Sequence, residues 1–249
     1  MNAAPATLIR RFARAIATYE AQASVQRFAA ERLAELLGET LHTLAPRLLE
    51  IGCGTGLLSR LLAARFAPSE LVVNDLCAEM GVCFANVPRV RFLPGDAQTV
   101  PWPGLFDAIV SASAIQWFDD LDAFARRCAD ALPKGGVLAV SSFGPATLRE
   151  VRDLTGRGLD YLDFDRFCAT FAAAFAPCAT ERAVRTCVFP DAAAVLRHLR
   201  ETGVTATGDG SPWTKTRLSA FSEAYARRFP ADGGVALTYE PFWFVGVKR

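Results

Sequence analysis

Histidine and methionine are scarce in this chain, with 2 of each among 249 residues. His42 and His198 are the only imidazoles and no two cysteines are spaced C-x-x-C, so no zinc-type ligand set can be assembled. The 7 cysteines (Cys53, Cys77, Cys83, Cys128, Cys168, Cys178 and Cys187) are scattered and odd in number, which reads as reduced thiols rather than a disulfide framework. Long apolar runs are missing too. No stretch nears the ~20 residues of a membrane span. Residues 1–6 lead into Arg10 and Arg11 with no apolar run behind them, so no secretory signal is expected and the predicted compartment is the cytoplasm. Neither sign of charge dominates: 27 basic residues face 26 acidic ones, which argues against wholesale nucleic-acid binding. Repeats and low-complexity linkers are also lacking. What is present, 51% hydrophobic and 21% charged residues, suits one well-packed domain.

The apolar spacing predicts two amphipathic helices first, over Leu8–Tyr19 and Ser24–Leu37, the second stopped by Gly38. The pattern then alternates. Strands are predicted at Arg47–Ile51, Glu70–Asp75, Arg89–Pro94, Phe106–Ser111 and Val137–Phe143, with helices at Leu57–Phe66 and Leu121–Leu132. Such alternation implies right-handed crossovers and a parallel sheet covered on both faces. Beyond it, Asp163–Phe175, Asp191–Glu201 and Lys215–Arg228 read as helices. Thr180–Phe189 reads as a strand, and Val235–Lys248 holds two apolar runs around Pro241. This C-terminal part is expected to form an antiparallel edge and a helical insertion over the strand ends.

In an open parallel sheet, ligands sit beyond the carboxyl ends of the strands. The candidate positions all fall there. Glu50-Ile51-Gly52-Cys53-Gly54-Thr55-Gly56 leaves the first strand, and its glycines permit sharp turning and close backbone approach. Asp75 closes the second strand, where a carboxylate can accept from both hydroxyls of a ribose. Asp96 follows the third and can accept from an adenine amine. The segment from Ser111 to Gln116 follows the fourth and would run beneath the reacting end of a ligand. A dinucleotide fingerprint would need its third glycine at position 57, which is Leu57, so the loop favours a nucleoside ligand without a pyrophosphate and disfavours a nicotinamide dehydrogenase.

Together these motifs resemble the class I methyltransferases. That resemblance implies an α/β fold with a doubly wound, mostly parallel seven-stranded sheet, an antiparallel edge strand and a helical C-terminal insertion. It also implies S-adenosyl-L-methionine as cofactor, held by Glu50, Gly52, Cys53, Gly54, Gly56, Asp75, Leu76, Met80, Asp96, Ala97 and Ser111. Further segments narrow the likeness: Phe12-Ala13-Arg14-Ala15 with Thr18-Tyr19-Glu20 and Gln26, Gln116-Trp117-Phe118, Ser142-Phe143-Gly144 with Thr147-Leu148-Arg149-Glu150, His198-Leu199-Arg200 with Thr202-Gly203-Val204, and Leu237-Thr238-Tyr239. In this order they resemble the malonyl-acyl carrier protein O-methyltransferases of biotin synthesis. The sequence departs from that pattern at Glu20, where aspartate is expected, and at Glu240, where histidine is common.

This resemblance implies a single domain, 1–249: helices over 1–40 capping the site, a cofactor-binding core over 45–145, and substrate-side helices and last strands over 146–249. It implies methyl transfer to the free carboxylate of a malonyl group on acyl carrier protein, or on coenzyme A, with no nucleic acid or membrane as partner. A malonyl carboxylate, with a pKa of roughly 3–4, is already ionised at neutral pH, so no catalytic acid or base and no metal is expected. Tyr19, Gln116 and Tyr239 are the polar substrate candidates. Arg149, Arg185 and Arg200 are the arginines that could grip the carboxylate. Arg10, Arg11 and Arg14 on the first helix, or Arg197 and Arg200, are candidate docking charges for an acidic carrier. The competing readings are a methyltransferase for a quinone- or phenol-like substrate, which needs a base that this histidine-poor chain hardly offers, and a non-catalytic cofactor-binding protein, which the acid pair Asp75 and Asp96 disfavours.

Overall fold

Five strands with apolar side chains on both faces build the centre: β1 (Arg47–Ile51), β2 (Glu70–Asp75), β3 (Val90–Pro94), β4 (Ala108–Ala112) and β5 (Val137–Phe143). The computed structural model describes residues 5–204 and 214–249. These five strands run parallel, and the sheet is extended by β6 (Phe175–Arg182) and β10 (Pro241–Lys248) in the order β3-β2-β1-β4-β5-β10-β6. β10 is antiparallel to both β5 and β6, so the antiparallel strand lies one place in from the edge. A separate three-stranded antiparallel sheet joins β7 (Arg185–Phe189), β8 (Pro230–Ala231) and β9 (Gly234–Tyr239).

Helices cover both faces of the large sheet. On one side α2 (Ser24–Thr40) and α3 (Leu57–Phe66) pack Leu33, Leu37 and Leu62 against Leu48, Leu71 and Trp243. The Trp243 indole donates to the Ala29 carbonyl at 2.9 Å and pins α2 to β10. On the other side α4 (Leu121–Asp130) and α6 (Phe164–Ala172) bury Phe124, Phe167 and Phe171 against Leu49, Phe242 and Phe244. Each such side chain contributes roughly 1.5–3 kcal/mol of apolar burial. A third cluster packs α5 (Arg149–Thr155), α7 (Ala192–Glu201) and α8 (Lys215–Arg228) on the small sheet through Val151, Leu199, Tyr225 and Leu237. Among the described residues, no helix is long and apolar enough to cross a membrane.

Local chemistry explains where the structure departs from the periodicity. The single strand expected over Thr180–Phe189 is two strands, β6 and β7, in different sheets. It pairs throughout with the chain of β9 and β10 as one antiparallel ribbon, and both partners bend together: at Ala183–Val184 on one side and at Glu240–Pro241 on the other. Ala183 still donates to the Pro241 carbonyl at 3.0 Å across the bend. Gly38 does not end α2, which continues to Thr40. Its missing side chain instead makes room for the Arg65 guanidinium of α3, 2.5 Å from where a Cβ would stand.

The helix α5 has no predicted counterpart. It carries Glu150, fully buried, whose carboxylate accepts from the Thr238 amide at 3.0 Å and the Thr238 hydroxyl at 2.5 Å. Glu150→Ala leaves both donors without a partner, and a cost of about 2–4 kcal/mol is expected, read as a lower urea midpoint. An unchanged midpoint would contradict this role.

Candidate functional site

β1 and β4 are neighbours in the sheet, and the chain runs outward from them in both directions, so a crevice opens at their carboxyl ends. The glycine loop that follows β1 is stitched to β2. The Gly52 and Cys53 amides both donate to the Asn74 carbonyl, at 2.8 and 2.9 Å, while the Asn74 side-chain amide donates to the carbonyls of Leu93 and Gly95. Gly52 has φ +70°, and a Cβ there would lie 2.2 Å from that of Ala114, so no larger residue fits beneath the β4 loop. Gly54 has φ +52° and faces open space. Its amide donates to Oδ2 of Asp75 at 2.8 Å, and the Cys77 amide donates to Oδ1 at 2.9 Å. The second acid therefore orders the loop and still has lone pairs for two further donors. Burial raises the Asp75 carboxyl above its usual range, against the pull of these two amides.

The resulting cavity is lined by Glu50, Gly52, Cys53, Gly54, Asp75, Leu76, Met80, Asp96 and Ala97, so nine of the sequence candidates converge. Two others stay out of the lining. Gly56, at φ +92°, starts α3, and the buried Ser111 hydroxyl donates to the Ile51 carbonyl at 2.9 Å, tying β4 to β1. The roof is α1 (Pro5–Gln22), which presents Leu8, Ile9, Phe12, Ile16 and Tyr19 to the cavity. Arg60 of α3 clasps Glu20 at 2.7 Å, and Phe12 meets Trp117 edge-on with centroids 5.9 Å apart. Burial and the Asp75 charge hold the Tyr19 phenol well above its ordinary range, so it remains a hydrogen-bond donor.

The other substrate candidates are dispersed. Gln116 borders an adjoining hollow with Ser142, Tyr161 and Arg166, and its amide donates to the Ser113 carbonyl at 2.7 Å. Tyr239 is buried, with its hydroxyl 2.8 Å from Nε2 of His198, and lines neither space. Arg149 sits 3.4 Å from Glu150, Arg185 stacks 4.2 Å over the Phe28 ring, and Arg200 is exposed. Among the described residues no arginine or lysine lines the main cavity, while Arg166 borders the hollow, paired with Asp122 at 2.9 Å. The two departures from the family pattern both have partners: Glu20 holds Arg60, and Glu240 accepts from the Ala146 amide at 2.8 Å.

Asn74, Gln26 and Ser113 also line the cavity; Ser113 falls in the segment expected beneath the ligand and Gln26 in the family-like N-terminal pattern, while Asn74 had no expected role. Ser113 holds a left-handed backbone, φ +57°, at the end of β4, the kind of strain found at functional turns. Among the described residues, Oε2 of Glu50, Oε1 of Gln26 and Oγ of Ser113 are buried without a hydrogen-bond partner, and all three belong to lining residues. Burial pushes the Glu50 carboxyl up to about 8, helped by Asp75 and opposed by Ser59 and Arg60. Buried acceptors without partners, with four carboxylates and no described cation in the lining, fit a cationic ligand rich in donors.

Residues 49–140 match the family described as Methyltransferase domain. The chain is 37% identical over 254 residues to the malonyl-acyl carrier protein O-methyltransferase of Bacteroides thetaiotaomicron, covering 97% of each. The chain belongs to that family. It is also 41% identical over 258 residues to the Bacteroides fragilis protein of the same name, across 100% of this chain but 52% of that relative, so it spans about half of that longer protein. Among solved structures, the YcgJ protein of Bacillus subtilis aligns with a TM-score of 0.63 at 18% identity, covering 88% of this chain and 99% of that one. A phosphoethanolamine N-methyltransferase of Haemonchus contortus, in complex with S-adenosyl-L-methionine, aligns with a TM-score of 0.54 at 17% identity, covering 88% and 52%. The family and the sheet order agree on a class I methyltransferase fold.

Proposed function

We propose that the chain transfers a methyl group from S-adenosyl-L-methionine to the free carboxylate of a malonyl thioester on acyl carrier protein, giving the malonyl methyl ester. The near-full-length likeness to enzymes of that name carries this reading. The cavity supports it. The Glu50 carboxylate, whose Oε2 has no hydrogen-bond partner, suits the ammonium of the cofactor's amino-acid end. Asp75 has acceptor capacity left for a ribose diol. Asp96 suits an adenine amine, and Leu76, Met80 and Ala97 offer apolar walls for the base. When bound, S-adenosyl-L-methionine supplies a sulfonium methyl that is already activated.

The chain's own residues then have little acid–base work to do, because the malonyl carboxylate is ionised at neutral pH, with a pKa of roughly 3–4. Alignment and exclusion of water remain. The α1 roof, with Phe12 and Ile16, and Trp117 across from it enclose the reacting end. The protonated Tyr19 phenol and the Ser113 hydroxyl are donors suited to orienting a carboxylate there, and the Gln116 amide, held by the Ser113 carbonyl, stands at the neighbouring hollow. No proton has to move.

Malonyl-carrier and acetyl-carrier protein, assayed side by side with mass detection, test the substrate. The malonyl form should gain one methyl group and the acetyl form, which lacks the free carboxylate, none. Equal turnover of the two would overturn the proposal.

A further inference from the structure

The charges of this nearly neutral chain are unevenly placed. α1, α7 and α8 carry nine of its 27 basic residues and only three of its 26 acidic ones, Glu20, Glu201 and Glu223. The fold brings these helices together. α7 packs on α1, where the Thr18 hydroxyl donates to the Glu201 carbonyl at 3.1 Å and Phe12 sits against Gly203, and α8 packs on α7. Arg10, Arg14 and Thr18 share one stripe of α1 at four-residue spacing, so Arg14 and Arg10 lie about 6 and 12 Å along the axis from that contact. Arg197 is one turn before Glu201, and Arg200 adjoins it. All four arginines are exposed, and none of their guanidinium groups has an ion-pair or hydrogen-bond partner among the described residues. Two clusters that are far apart in sequence are one surface in the folded chain. The opposite face of α1 is the cavity roof, so the surface and the site are separated by a single helix, about 10–12 Å across.

Resting on the malonyl-carrier reading above, we propose that the outer faces of α1 and α7 form the dock for the carrier protein. Arg10, Arg14, Arg197 and Arg200 meet its acidic surface and the phosphodiester at the root of its acyl arm. Charge complementarity identifies the occupant: an anionic protein whose flexible arm must reach past the edge of α1 into the cavity. A phosphodiester is a strong acceptor for guanidinium forks, and an exposed dock of this kind acts mainly on encounter and on affinity at low salt.

The test uses the full chain with Arg10→Glu, Arg14→Glu, Arg197→Glu and Arg200→Glu combined, and each helix's pair separately. Binding of fluorescently labelled apo-carrier and the KM for malonyl-carrier are measured from low to high salt. The wild type should bind the carrier with an affinity that falls with salt. The fourfold variant should bind at least ~10-fold more weakly with little salt dependence, and each pair should fall between. kcat, S-adenosylmethionine affinity and thermal midpoint should stay at wild-type values. Equal KM and equal salt dependence in wild type and variants would overturn the dock while leaving the methyl-transfer reading intact. Salt-dependent binding of the carrier, lost in the variants, with no methylation of its malonyl form would do the reverse. A wild type that binds phosphatidylglycerol vesicles and ignores the carrier would also overturn the dock.

Discussion

Asp75→Ala should weaken S-adenosylmethionine binding by about 10–100-fold in a calorimetric titration. Two losses add. The ligand loses a charged acceptor at the end of β2, and the glycine loop loses its anchor, because the Gly54 and Cys77 amides donate to the two oxygens of this one carboxylate. Asp75→Asn separates the parts. It keeps the shape and one acceptor oxygen, but its NH2 faces an amide that needs an acceptor, so it should fall between wild type and Asp75→Ala. An Asp75→Ala affinity equal to that of the wild type would remove the ribose assignment.

Glu50→Gln should move stability and binding in opposite directions. In the unfolded chain this carboxyl ionises near 4.5, whereas in the folded protein burial holds its proton until about 8. The native state therefore binds more protons across that window, and stability falls as pH rises from about 4.5 to about 8, by on the order of 4 kcal/mol in total. Glutamine does not ionise, so the ligand-free variant should be the more stable protein at pH 7, with the gain absent at pH 4. Its affinity for S-adenosylmethionine should drop by ~10-fold or more, because a carboxylate is replaced where an ammonium is to be met. For the wild type, binding must first remove the Glu50 proton, so affinity should climb by up to about tenfold from pH 6 to pH 7, below the ~7.7–8.0 range of an α-amine. The variant should show no such climb. A wild-type affinity that is flat over this interval, together with an unchanged apo midpoint in Glu50→Gln, would mean that the carboxylate is already ionised or faces elsewhere.

Both acids are legible in the sequence, and the reason is topological. A strand covered on both faces reads as an apolar run, and a polar residue that interrupts it at the carboxyl end marks the crevice. Leu48-Leu49-Glu50-Ile51 and Leu71-Val72-Val73-Asn74-Asp75 announce themselves in this way. Asn74 does not, because half of its role belongs to its backbone carbonyl, which accepts from Gly52 and Cys53. The roof over the cavity is half legible. The stripe of Ile9, Phe12, Ile16 and Tyr19 predicts a helix with one apolar face but cannot say that this face meets the cavity opened by β1 and β4. Sequence order hides more in the C-terminal part. The ribbon of β6–β7 with β9–β10 depends on pairings across 46 to 73 residues, and its shared bend is visible only once both strands are laid side by side. The arginines illustrate the same limit. Arg149, Arg185 and Arg200 are equivalent as sequence candidates, yet one sits beside Glu150, one stacks on Phe28, and one joins Arg10 and Arg14 across the α1–α7 contact.

A crystal structure with S-adenosylhomocysteine tests the account most directly. The ribose should meet Asp75, the amino-acid end should meet Glu50 beside the Gly52–Gly54 turn, and the base should lie between Met80 and Asp96, all beneath α1. A ligand bound away from the carboxyl ends of β1 and β2 would contradict it.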